Sequence, residues 1–203
     1  MRRLFTCILA FISLLPGVLL LAQEQHAAEV VEQFQATLIS AMKDADTLGY
    51  EGRYRRLAPA IETSHDLPGI AKFAAGRYWD TLSPEQQKKL VDAFARQSIA
   101  TYAYRFDGYA GQSFKTVSEQ KTARGDALVH TVFNDPGGAA VRFDYVLRDT
   151  IAGWRIVNII VDGVSDLAIK RSEYSSMLRS QGVDALIKKL NSQSTQYAQP
   201  VKK

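Results

Sequence analysis

The chain has 203 residues and a formal net charge of +4, with 46% hydrophobic and 23% charged residues. This balance is typical of a globular protein, so it excludes a wholly disordered chain and a fibrous repeat. The sequence contains one cysteine, which excludes an intramolecular disulfide and a zinc site built from cysteines.

Residues 1–22 are predicted to be a secretory signal peptide. The basic pair Arg2 and Arg3 is followed by an apolar run up to Leu21, and Ala22 precedes polar residues. The run is short for a membrane span, although an uncleaved inner-membrane anchor is the alternative interpretation. Removing the segment takes away two of 25 basic and none of 21 acidic residues, which leaves a net charge of +2. We therefore expect a cysteine-free periplasmic protein that binds no nucleic acid.

The first half of the remaining chain is predicted to be helical. Apolar residues recur at three-to-four spacing over residues 24–48, and a shorter helix is expected over residues 54–61. His65 and Asp66 stand at a helix entry, where Asp66 is expected to cap a helix with Pro68 in its first turn.

The clearest local signal is the segment Ser83-Pro84-Glu85-Gln86. Ser83 is expected to be the N-cap, and Gln86 completes a capping box. The helix that starts here is predicted to run to about Tyr104.

Alternation then replaces helical spacing. Short turns join the predicted strands, which indicates antiparallel neighbours. Four strands are expected, at residues 113–121, 126–134, 140–149 and 154–162. Helical spacing resumes after Gly163 and is interrupted at Gly182. The pattern predicts one α+β domain over residues 23–198, in which helices flank a four-stranded curved antiparallel sheet, and a flexible tail over residues 199–203.

Few residues suggest catalysis. The sequence contains no nucleophile elbow, phosphate-binding loop or zinc-protease motif. Its three histidines, His26, His65 and His130, do not share ligand spacing, so we expect neither a metal nor a cofactor. His130 is interpreted as a buried, hydrogen-bonded histidine on one strand face with Leu128 and Val132.

Two strand carboxylates keep an enzymatic alternative open. Asp144 or Asp162 would serve a proton-transfer enzyme if it lay in an apolar pocket near Tyr145 or His130. Solvated carboxylates on a strand face or in a turn are the favoured interpretation of both residues.

The densest positive cluster consists of Arg53, Arg55 and Arg56. Three guanidinium groups could bind an anionic head group or an acidic partner surface. The alternative is a solvated helix face on which the aliphatic stems cover apolar surface.

Aromatic residues are dense between Tyr102 and Tyr109, with Phe114 beyond. Core packing between a long helix and the sheet accounts for such a cluster, and so does the wall of an apolar ligand pocket. The sequence leaves both interpretations open, because both place large apolar side chains inward.

Several landmarks occur in one order: Tyr78-Trp79, residues 82–86, the block Gly-Trp-Arg-Ile-Val-Asn-Ile-Ile-Val-Asp-Gly-Val-Ser at 153–165, and residues 182–187. Over about residues 25–190 this pattern resembles the MlaC-type, toluene-tolerance family of periplasmic lipid-binding proteins. Residues 48–53 and the motif His-Asp-Leu-Pro at 65–68 are more similar to its hopanoid-associated HpnM branch. The resemblance implies an NTF2/cystatin-like fold.

The chain departs from the family pattern at two places. Asn158 stands where the family commonly has Asp, and Lys170-Arg171 stands where it has Tyr-Arg. Both changes are compatible with the fold. The resemblance therefore does not imply that this chain binds the same lipid as other family members or makes the same partner contacts.

The resemblance implies a carrier without catalytic activity. It would shuttle a phospholipid or a hopanoid between transport components of the inner or outer membrane. The alternatives are the proton-transfer enzyme and a non-catalytic adaptor of a membrane complex with a fully packed core. Periodicity together with the family's pocket placement predicts eight wall residues: Phe94, Tyr102, Phe106, Val132, Phe143, Tyr145, Ile156 and Ile160.

Overall fold

A computed structural model describes residues 26–199 of the chain. The predicted signal peptide lies outside the described residues, as does most of the predicted tail. A short 3₁₀ helix, Gly76–Thr81, follows the third of five α-helices. The helices are α1 (Ala27–Lys43), α2 (Ala45–Ser64), α3 (Leu67–Ala75), α4 (Pro84–Arg105) and α5 (Asp166–Tyr197). Within residues 26–199, none of these helices combines the length and apolarity needed to cross a membrane.

The strands form one antiparallel sheet in chain order. They are β1 (Ser113–Lys121), β2 (Ala127–Asn134), β3 (Val141–Thr150), β4 (Gly153–Val161) and β5 (Val164–Ser165). The four predicted strands are confirmed within a residue or two of their ends. The fifth was missed because it has two residues, too few to show an alternating pattern, and it pairs only with the end of β4.

Two helix starts confirm the capping predictions. The Ser83 amide donates to Gln86 Oε1 (3.0 Å), and the Gln86 amide donates to Ser83 Oγ (3.2 Å). At the start of α3, the Gly69 amide donates to Asp66 Oδ1 (2.9 Å). Each bond satisfies an amide that the helix itself leaves unpaired.

The helices are interrupted at several points. The prediction of one helix over residues 24–48 was wrong, because α1 ends at Lys43 and Asp44 separates it from α2. Within α2, Gly49 has φ +57° and breaks the helix. In α5, Gly182 has φ +80°, and the two arms beside it are joined by an ion pair between Glu173 and Lys189. These residues are 16 positions apart and would be separated by about 24 Å in a straight helix. The pair therefore shows that α5 folds back at Gly182.

The core lies between the helices and one face of the sheet, called here the inner face. Tyr145 and Leu147 of β3 are fully buried on this face against α1 and α4, which contribute Phe34 and Phe94. This confirms the predicted alternation of β3. The other face, the outer face, carries residues such as the exposed Arg142.

Candidate functional site: a cavity between the sheet and the helices

A cavity of about 330 Å³ lies between the inner face of the sheet and the helices. This volume falls in the range of pockets that hold small molecules. All five α-helices contribute to its wall, as do β3 and β4. The most buried lining residues form an apolar floor: Leu38, Ile61, Phe94, Tyr145 and Ile156.

Six of the eight predicted wall residues line this cavity. They are Phe94, Tyr102, Phe106, Phe143, Tyr145 and Ile156. Phe94 and Tyr102 lie on the side of α4 that faces the cavity, as helical periodicity predicts. Phe143 and Tyr145 are two residues apart on β3 and therefore face the same side of the sheet. Tyr102 also stacks on Phe106, with ring centroids 5.8 Å apart. The structure thus brings six of the predicted residues to one cavity, and their contact with a lipid stays a prediction.

Val132 and Ile160 were placed wrongly. Val132 pairs with Arg142 and Ile160 pairs with Asp144, and both partners lie on the outer face. On β2 the inner residues are the odd-numbered ones, so the face assumed for Val132 was off by one residue.

A β-bulge explains the error on β4. Leu147 pairs with Ile156 and Val146 pairs with Asn158, so Val157 is an extra residue in β4. The extra residue shifts the alternation by one position, so residues beyond the bulge face the side of the sheet opposite to the one that uninterrupted alternation predicts. Ile156 and Ile159 therefore both face the cavity, and sequence reasoning missed Ile159 because the bulge depends on the pairing of β3 with β4.

The mouth of the cavity is polar, in contrast to the floor. It is formed by Arg105, Asp166, Lys170 and Tyr197, which all retain solvent exposure. Lys170 Nζ donates to Asp166 Oδ1 (2.7 Å), and Arg105 lies at the end of α4. The sequence did not indicate these residues as a group, because they meet only when α5 folds back and brings both of its ends to the mouth.

Asn158, one of the departures from the family pattern, supports this arrangement. Its Oδ1 accepts from Ser165 Oγ and from the Leu167 amide, both at 3.1 Å. Ser165 in turn caps α5, since its Oγ accepts from the Ala168 amide (3.1 Å). An aspartate would offer the same acceptor, which explains why Asn is compatible with the fold.

His65 is a further lining residue that the sequence assigned only to a helix entry. The ring is buried, with its centroid 4.9 Å from that of Phe34. Burial lowers the pKa of His65 to about 4, so the ring is neutral near neutral pH. Burial also raises the pKa values of the phenols of Tyr102 and Tyr145, so both remain protonated.

The predicted arginine cluster does not form one anion site. Arg53 is buried and donates from Nε to the Ala103 carbonyl (2.9 Å) and from Nη1 to the Ala45 carbonyl (3.2 Å). Its assignment to a head group or partner was therefore wrong, because the guanidinium joins α2 to α4. Arg56 pairs with Asp44, and Arg55 is exposed.

The two carboxylates of the enzymatic alternative lie away from the cavity. Asp144 is on the outer face, where it pairs with His130 Nδ1 (2.7 Å) and Arg142 Nη2 (3.0 Å). Asp162 Oδ1 accepts from the Arg142 amide (2.9 Å). His130 shares the face of Val132, as predicted, but that face is the outer one. Across residues 26–199, no three His, Cys, Asp or Glu side chains converge on a possible metal position.

A sheet covered by helices, with an apolar cavity and a charged mouth between them, is an α+β architecture typical of proteins that bind small molecules. The family model described as MlaC protein matches residues 32–192. The chain therefore belongs to the MlaC family, as its sequence resemblance indicated.

Known proteins similar to the chain include the toluene tolerance protein ttg2D of Pseudomonas putida, at 26% identity over 137 residues. That match covers 66% of this chain and 61% of the relative's length. They also include a solved phospholipid-binding protein from Ralstonia solanacearum in complex with a phospholipid, at 22% identity and a TM-score of 0.76. The likeness covers 86% of this chain and all of the solved one, and it shows that the two share a fold.

Proposed function

We propose that the protein is a periplasmic lipid carrier that moves a phospholipid or a hopanoid between membrane-embedded components. The observation that carries this proposal is the cavity, whose apolar floor and charged mouth match the two ends of a lipid. Membership of the MlaC family supports it. So does the Ralstonia protein of the same fold, which was solved with a phospholipid.

The energetics of lipid transfer require such a cavity. Each methylene exposed to water costs about 0.8 kcal/mol, so two chains of about 15 methylenes cost on the order of 20 kcal/mol. An apolar floor offsets part of this cost for whatever length of chain it encloses. A head group can stay hydrated at the mouth, where Arg105 and Lys170 supply positive charge for a phosphate.

Finer features of the carrier are part of the same proposal. Residues 48–53 and 65–68 support a place in the hopanoid-associated HpnM branch. Residues 1–22 would direct export to the periplasm, and transport components of the inner or outer membrane would deliver and receive the lipid. Of the arginine cluster, the exposed Arg55 is the remaining candidate for contact with an acidic partner or a head group.

The competing functions are less well supported by the geometry. A packed-core adaptor has no use for a cavity of about 330 Å³ in its interior. A proton-transfer enzyme of the kind considered above needs a carboxylate in that cavity, whereas Asp144 and Asp162 lie elsewhere.

Native mass spectrometry of protein purified from a lipid-containing host tests the proposal. We expect bound lipid, which organic solvent extracts. Ser98 lines the cavity on α4, and the variant Ser98→Trp should lose most of this lipid because the indole fills the lipid's space. Ser180→Trp, on an exposed part of α5, is the matched control and should keep it. Lipid-free wild-type protein, or equal lipid in both variants, would contradict the proposal.

A further inference from the structure

The last two turns of α5 lack the buried apolar residues that anchor the turns before them. In the arm of α5 that follows Gly182, Leu186 and Leu190 are fully buried and fix the arm in the core. The sequence after Leu190 is Asn-Ser-Gln-Ser-Thr-Gln-Tyr, and none of these seven residues is buried. Residues 191–197, called here the terminal turns, therefore extend beyond the last core residue of the helix.

Two side-chain bonds in the terminal turns return to the helix itself. Ser194 Oγ donates to the Leu190 carbonyl (2.9 Å), and Thr195 Oγ1 donates to the Asn191 carbonyl (3.1 Å). Hydroxyls that bond back four residues destabilise a helix slightly, and these two bonds do not tie the terminal turns to a neighbouring element. Asn, Ser and Thr also favour a helix less than Ala or Leu does. The terminal turns are thus a part of α5 that unwinds easily.

Contacts at both ends join the terminal turns to α4. At the first end, Arg96 Nε and Nη2 donate to Asn191 Oδ1 at 3.3 and 2.9 Å. At the other end, the ring of Tyr197 stacks on that of Tyr104, with centroids 4.8 Å apart and planes inclined by 26°. The hydrogen bonds are exposed, and so is Tyr104. Each of these contacts stabilises the helix less than a buried leucine does.

The side of α4 that meets the terminal turns is polar and also borders the cavity. Gln97, Thr101 and Tyr104 recur at spacings of four and three residues, so they lie on one side of α4. Tyr104 contacts Tyr197. Gln97 and Thr101 line the cavity, and so does Tyr197. A passage between α4 and the terminal turns would therefore lead into the cavity. Its opening would expose mainly polar groups, and it would cost little because the hydrophobic cost follows apolar area.

We propose that the terminal turns are a gate of the cavity, latched by the stacking of Tyr197 on Tyr104. A lipid enters and leaves through the passage that opens when this latch is released. The inference rests on the proposed lipid-carrier function and adds the route by which the lipid is exchanged. Since Leu186 and Leu190 stay in the core, α5 bends just after Leu190 and the rest of the fold keeps its shape.

Tyr104 tests the latch, because it stacks on Tyr197 and lies outside the cavity lining. Uptake of a fluorescent phospholipid from vesicles of phosphatidylethanolamine and phosphatidylglycerol is followed in time, as is its release to vesicles without the probe. Tyr104→Ala should raise both rates about two- to tenfold, because loss of an aromatic pair raises the population of the open state by that factor. The amount bound at equilibrium should not change, since the latch acts on the empty and the loaded protein alike. Tyr104→Phe keeps the stacked ring and is the matched control, which should exchange lipid at the wild-type rate.

A reversible cross-link tests the gate itself. In a protein with Cys7→Ser, which removes the one natural cysteine, the pair Tyr104→Cys and Tyr197→Cys is bridged by a bis-methanethiosulfonate reagent. Uptake and release should slow at least tenfold in the bridged protein and recover when a reducing agent cleaves the bridge. The control pair, Asp126→Cys and Arg148→Cys, replaces an ion pair of the sheet (3.0 Å). It should exchange lipid equally well in the bridged and the reduced form.

Wild-type exchange rates in Tyr104→Ala would overturn the inference, because the stacked pair would not hold a gate. Equal rates before and after reduction of the Tyr104–Tyr197 bridge would also overturn it, because the lipid would then use another route. In both cases the uptake of lipid leaves the carrier function intact. Failure of the wild-type protein to take up any lipid would instead contradict the carrier function itself.

Discussion

Acidification from about pH 7 to about pH 4 should destabilise the protein through His65. Burial holds the pKa of this ring at about 4, against an ordinary value of 6.5. As the pH falls through 6.5, the unfolded chain binds a proton that the folded chain rejects. The contribution of His65 to the free energy of unfolding is therefore fully present above about pH 6.5 and is lost progressively as the pH falls towards 4.

The loss follows from the two pKa values. Each pKa unit corresponds to about 1.36 kcal/mol, so the contribution of His65 over this range is about 3 kcal/mol. Urea denaturation at several pH values measures it, with His65→Phe as the reference. Carboxylates that titrate in the same range affect both proteins and cancel in the comparison. Parallel pH profiles for the two proteins would refute the reasoning, because they would mean that His65 takes up its proton as readily when folded.

Three substitutions, one of them with a matched control substitution, test other features by urea denaturation at neutral pH. Arg53→Met should lower the free energy of unfolding by about 3 kcal/mol, since two backbone carbonyls lose charged donors, whereas Arg55→Met on the exposed side of the same helix should change it by less than about 0.5 kcal/mol. Similar midpoints for the two variants would contradict the structural role of Arg53. Ser83→Ala should cost about 1 kcal/mol through loss of the capping box, and no loss would mean that the cap is dispensable. Gly182→Ala should cost about 1–3 kcal/mol from backbone strain alone, because nothing lies within 4 Å of the added methyl group. Wild-type stability in that variant would show that the fold-back tolerates an ordinary residue.

Features encoded within a few residues could be predicted from the sequence. The caps at Ser83 and Asp66 depend on side chains three positions from the amides that they bind, and both were predicted. The inner face of β3 was also predicted, because its apolar residues alternate without interruption. Family resemblance added the cavity between sheet and helices, and α4 and β3 supplied most of its wall.

Features that depend on contacts between distant segments could not be predicted in this way. The bulge at Val157 exists only through the pairing of β4 with β3, and it moved Ile160 to the outer face. Arg53 looked like part of a surface cluster, because the carbonyl that it binds belongs to Ala103, 50 residues away. His65 likewise became a cavity residue only when the chain connecting α2 and α3 was seen to lie against β4.

The fold-back of α5 also affects the order in which the cavity is completed. Asp166 and Tyr197 stand at opposite ends of this helix, the last described element in chain order, and both lie at the mouth. A growing chain produces α1 to α4 and the whole sheet before it produces either arm. A chain that lacks α5 therefore leaves the inner face of β4 uncovered where α5 packs on it, and the mouth of the cavity is complete only once Tyr197 has been produced.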